Sequence, residues 1–81
     1  MDVTVKIYYK ALLPGLPEDL PDRIPFIVKL PDGAALGTLL STLQIPQALE
    51  LTVLVNGTKP AEHRPLEEKD LVSIFPPIAG G

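Results

Sequence analysis

A chain of 81 residues that is 46% hydrophobic is one small domain, near the lower size limit for a single core and too apolar to stay disordered. The absence of cysteine excludes a disulfide framework, a thiolate metal site and a cysteine nucleophile, and it fits a cytoplasmic protein. A net charge of −3 and a pI near 4.9 disfavour nucleic acid as a partner, and no apolar run approaches the roughly 20 residues that span a bilayer, so neither a membrane partner nor export is expected.

The elements read as follows in chain order. Val3, Val5, Ile7 and Tyr9 alternate with Thr4, Lys6 and Tyr8, a period-two strand with an inward face that includes Tyr9. Residues 10–23 carry Pro14, Gly15, Pro17 and Pro21, a density of breakers that predicts a loop without regular structure. Residues 24–30 resume strand character with Phe26, Val28 and Leu30 on one face, and Pro25 places the start of this strand at an edge. The two strands are expected to pair antiparallel.

Pro31, Asp32 and Gly33 form a turn, after which Leu36, Leu39, Leu40 and Leu43 recur at helical spacing. Ala34 and Ala35 stand where a capping side chain is preferred, and Gly37 sits in the first turn. This helix is therefore expected to rely on packing, and Ile45-Pro46 ends it.

Residues 51–55 read as a strand that is apolar on both faces except at Thr52, which suggests a central position. Asn56-Gly57 is a hairpin signal, with Thr58-Lys59 as a short return strand before Pro60. A polar loop with a buried Leu66 leads to a last strand over 71–75.

The order β-β-α-β-β-β with one substantial helix predicts an α+β, two-layer domain in which a mixed sheet packs on that helix. The first and last strands should lie side by side at its centre. The expected core comprises Val3, Val5, Ile7, Phe26, Val28, Leu36, Leu39, Leu40, Leu43, Val53, Val55, Leu66 and Val72.

The most specific feature is the ending Phe75-Pro76-Pro77-Ile78-Ala79-Gly80-Gly81. Two prolines stop strand pairing and favour an extended path, so the chain divides into a domain over 1–75 and a tail over 76–81. Gly80 and Gly81 lack a Cβ, so a partner's backbone and a nucleotide can approach them closely. The six residues from Pro76 to Gly81 reach at most about 20 Å, enough to enter a buried site on another protein. This suits chemistry on the carboxylate of Gly81, with Gly80, Ala79, Ile78, Pro77, Pro76 and Phe75 as the partner-binding segment.

The ending, taken with the opening strand Val3-Thr4-Val5-Lys6-Ile7-Tyr8, the turn Leu30-Pro31-Asp32-Gly33-Ala34, Val55-Asn56-Gly57 and the approach Leu66…Asp70-Leu71-Val72, resembles the ubiquitin-like sulfur carriers. These include the small subunit of molybdopterin synthase and the thiamine-pathway carrier. The resemblance covers nearly all of the chain except residues 10–23. It implies a β-grasp fold and a carrier with no catalytic residues of its own, as in the small subunit of a sulfurtransferase; whether the chain itself counts as an enzyme stays open.

In such carriers the terminal glycine is adenylated by an adenylyltransferase related to ubiquitin-activating enzymes. A persulfide then displaces AMP and leaves a thiocarboxylate. The sulfur is delivered to a second enzyme, which for molybdopterin is the large subunit of the synthase. The resemblance thus implies no cofactor on this chain, with ATP and Mg held by the activating partner. The chain itself has no phosphate-binding loop motif.

Two positions depart from the family. Lys69 stands where glycine commonly precedes the aspartate, so a positive φ there would strain it. Ile74 replaces a frequent second phenylalanine, which bears on the docking patch.

Other residues read more plainly. His63, the only histidine, is expected at the surface, and Ser41 and Ser73 have no base nearby in sequence. Glu18-Asp19 and the group Glu67, Glu68 and Asp70 read as solvated carboxylates. One of Tyr8 and Tyr9 should be exposed and the other buried, and Phe75 belongs either to the core or, with Ile78, to a docking patch. Three functions compete: sulfur carrier for a pterin-dithiolene (molybdenum or tungsten) cofactor, carrier for thiamine or another sulfur metabolite, and ubiquitin-like modifier or interaction domain. The double proline favours the first.

Overall fold

In a computed structural model that describes residues 1–46, 49–61 and 63–77, the alternation near the start becomes strand β1 (Asp2–Ile7). Val3, Val5 and Ile7 are fully buried on one face of β1, and the residues between them are half-buried. β2 (Phe26–Lys29), α1 (Leu36–Thr42), β3 (Thr52–Val55) and β4 (Leu71–Phe75) follow. The sheet order is β2-β1-β4-β3, with β1 parallel to β4 and the outer pairs antiparallel. The sheet is therefore mixed, and the first and last strands lie at its centre, as expected. Register sets Val5 beside Val72 and Ile7 beside Ile74, so the buried faces of the central strands coincide.

Leu39 and Leu43 of the helical stripe, with Ile45, close the core over that face, while Leu36 and Leu40 pack at its margin. Ala35 caps α1 without a side-chain bond, and its carbonyl accepts from the amides of Thr38 and Leu39 at 3.0 and 3.3 Å. A seven-residue helix has little stability of its own, so burial of Leu39 holds it in place. Gln44, at φ 59, ends it in the left-handed region.

Several expectations are corrected. β3 lies at an edge of the sheet, not at its centre. Val53 and Val55 face the core while Leu54 lies on the outer face, and an apolar side chain on each face does not require a strand to pair on both sides. The inward face of the first strand stops at Ile7. Tyr9 turns into the left-handed region at φ 55 and is 55% exposed. Ile74 continues the alternation from Val72 and is fully buried, so it belongs to the core.

The loop over 10–23 holds a single 3₁₀ turn, Lys10–Leu12, and contributes Leu13 to the core. Its two ends are tied together. The Arg23 amide donates to the Ile7 carbonyl at 2.6 Å, and the Lys10 amide donates to Asp22 Oδ1 at 3.1 Å.

Candidate functional site at the end of the last strand

β4 delivers the chain to the site, and alternation decides what it carries there. Val72 and Ile74 point into the core, so Ser73 and Phe75 take the opposite face. On that outer face the Phe75 ring stacks on Tyr8, with centroids 4.4 Å apart and planes 9° from parallel. Lys6 Nζ stands 5.0 Å from the centroid of the Tyr8 ring. The Tyr8 amide donates to the Ile74 carbonyl at 2.8 Å, which carries the parallel pairing one residue beyond β1.

Phe75 is thus half-buried on the outer face and is not a core residue; Tyr8 is half-buried beside it. Register places Ile27, Leu71 and Leu54 on the same face, and Ile27 is 65% exposed. An aromatic pair on a sheet face with further apolar side chains is chemically suited to meet protein. Pro76 is half-buried and Pro77 exposed as the chain leaves the sheet. Ile78, Ala79, Gly80 and Gly81 lie outside the described residues.

The opposite end of β4 holds a polar cluster that sequence reasoning took for solvated carboxylates. Asp70 is 4% exposed. Its Oδ1 accepts from Asn56 Nδ2 at 2.8 Å, and its Oδ2 accepts from the Glu67 amide at 2.8 Å and lies 3.7 Å from Arg64 Nη2. The Asp70 carbonyl accepts from the Thr4 amide, and the Leu71 amide donates to Asn56 Oδ1 at 2.9 Å. Burial of this carboxylate is offset by these donors. Asn56 and Gly57 form the expected tight turn, at φ 53 and 82, closed by a single bridge from Val55 to Thr58 where a return strand was expected. Lys69 adopts φ 68, the strained conformation its departure from the family pattern foreshadows, while its amide donates to the Asp2 carbonyl at 2.7 Å.

A hollow of about 270 Å³ opens at this entry end, between the start of α1 and residues 60–66, lined by Leu36, Val55, Pro60, His63, Arg64 and Leu66 among others. His63 is exposed at φ 63. Among the described residues, no group of three or more His, Cys, Asp or Glu is placed to hold a metal, and no helix is long and apolar enough to cross a membrane.

A family model described as the ThiS family matches residues 12–81. Among solved structures, a putative molybdopterin converting factor, subunit 1, from Pyrococcus furiosus superposes with a TM-score of 0.72 at 20% identity, covering 96% of this chain and 99% of that one. SAMP1 from Haloferax volcanii gives 0.63 at 21%, with all of both chains covered. A chain from the complex of subunits 1 and 2 of molybdopterin-converting factor from Helicobacter pylori gives 0.60 at 23%, again over both full lengths. These likenesses establish the β-grasp fold. No curated protein matches the chain.

Proposed function

This chain belongs to the ThiS family of sulfur carriers, and from that premise we propose that Gly81 is its reactive residue and that it donates sulfur in molybdopterin biosynthesis. The Gly81 carboxylate attacks the α-phosphorus of ATP and pyrophosphate leaves, which gives an acyl-adenylate. The terminal sulfur of a persulfide then attacks the carbonyl carbon and AMP leaves. A thiol then attacks the donor-side sulfur of the resulting acyl disulfide, so that the S–S bond breaks, the thiocarboxylate leaves and a disulfide forms between that thiol and the donor. Adenylation converts a poor electrophile into one with a good leaving group, so one hard step becomes two easier ones. ATP and Mg are held by an activating partner of the ubiquitin-activating type, because the charge on the transferring nucleotide needs cations positioned around it.

The observation that carries this reading is the exit of β4. A strand at the centre of the sheet ends in Phe75, stacked on Tyr8, and passes at once into Pro76 and the exposed Pro77. A rigid root with an apolar face beside it suits a tail over 76–81 that inserts into a partner while the sheet docks. The Helicobacter pylori structure holds subunits 1 and 2 of its converting factor together, which supports a large-subunit partner for this chain as well. Gly80 is the neighbour that must stay small, and Ala79, Ile78, Pro77, Pro76 and Phe75 make the remaining contacts.

Incubation with an adenylating enzyme of this type, ATP, Mg and a sulfur donor tests the reading by intact mass. Replacement of one oxygen by sulfur is the expected result. Adducts on lysines of other proteins would favour a modifier, and a chain left unchanged by every such enzyme would leave only an interaction domain. Supply of the thiocarboxylate to a molybdopterin-forming or a thiazole-forming enzyme then separates the two carrier pathways.

A further inference from the structure

Asn56 precedes Gly57, the sequence context in which an asparagine side chain is most open to attack by the next backbone nitrogen. Gly57 carries no side chain to hinder its own nitrogen, and Asn56 is exposed to water. Yet both polar atoms of its carboxamide are engaged: Nδ2 donates to Asp70 Oδ1 at 2.8 Å, and Oδ1 accepts from the Leu71 amide at 2.9 Å. The Asn56 amide also donates to the Leu71 carbonyl at 2.8 Å. These bonds aim the side chain across the sheet toward the entry of β4 and hold its torsions there.

We propose that Asn56 is a spontaneous modification site locked by its own hydrogen bonds, and that its conversion to aspartate or isoaspartate unfastens the turn from the entry of β4. In the reaction the Gly57 nitrogen bonds to Asn56 Cγ, the Cγ–Nδ2 bond breaks, and ammonia leaves with the proton lost from that nitrogen. Water then opens the succinimide at either carbonyl and gives aspartate or isoaspartate, with no change of oxidation state. Closure of the ring requires Nδ2 and Oδ1 to leave Asp70 and Leu71 first, so the folded chain resists it. The product replaces a donor with a carboxylate facing the buried carboxylate of Asp70, a repulsive contact in place of a hydrogen bond.

The test follows deamidation of the full chain at mildly alkaline pH by peptide mass mapping, native and unfolded in guanidinium at the same pH. Two hydrogen bonds to be broken predict a rate at least about ten-fold slower in the native chain. Equal rates would overturn the lock. Asp70→Asn, which keeps an acceptor oxygen but loses the charge, should deamidate at Asn56 faster than the native chain; an unchanged rate would contradict the part assigned to Asp70. Asn56→Asp should melt about 5 °C or more below the original chain. An unchanged melting temperature would refute the unfastening, and if that variant fails to fold, the same comparison is made on chain aged to partial deamidation and separated by charge. None of these readouts depends on sulfur transfer.

Discussion

At the entry of β4, Asp70 and Asn56 bind four backbone or side-chain donors between them, whereas at its exit Phe75 is held by a ring stack and two prolines follow. One strand therefore joins a polar, hydrogen-bonded end to an apolar, packed one. Hydrogen bonds fix register and are costly to leave unmade, so the entry end sets where β4 lies. Stacking tolerates sliding and replacement, so the exit end presents a surface that a partner's side chains can share. On the proposed reading, stability and function are thereby separated along five residues, Leu71–Phe75.

The largest effect expected from breaking this separation lies beyond the exit. Deletion of Gly81 should abolish thiocarboxylate formation in the mass assay while the melting temperature stays within about 2 °C, since exposed termini add few contacts. Gly80→Val should block transfer with the fold equally intact; normal turnover would show that the partner's entry is not narrow.

At the entry the sign reverses. Asp70→Ala leaves Asn56 Nδ2, the Glu67 amide and Arg64 without their acceptor and should cost about 2–4 kcal/mol in chemical unfolding. Phe75→Ala removes a half-buried ring and should cost only about 1 kcal/mol, yet weaken capture by the proposed large-subunit partner at least about ten-fold in titration calorimetry. Lys69→Gly relieves a left-handed lysine and should raise stability by about 0.5–1 kcal/mol without touching activity.

The same contrast explains how much could be read in advance. Apolar positions repeat with a period that the fold obeys, so the faces of β1 and β4, the stripe of α1 and the pairing of first and last strands were legible. Ile74 was missed as core because comparison with a family pattern drew attention from the plain alternation Val72-Ser73-Ile74. Tyr9 was misplaced because a period continues on paper where the backbone turns left-handed. The edge position of β3 was not legible, since apolar faces say nothing about pairing partners.

Asp70 was the larger loss. Its partner Asn56 is 14 residues away, and composition alone makes three nearby acids look like surface. One signal lay in the chain unused: an asparagine able to bond in both directions, brought to Asp70 only once the chain is folded. The exit was legible as a motif, and the Tyr8–Phe75 stack settles the face on which Phe75 sits.

The most direct trial of the account is fragmentation of the chain's C-terminal peptide after exposure to an adenylating enzyme of the proposed type, ATP, Mg and a persulfide donor. The account predicts that the added sulfur resides on the fragment containing Gly81 and disappears when that residue is deleted. Sulfur on any other residue, or its persistence in the shortened chain, would contradict it.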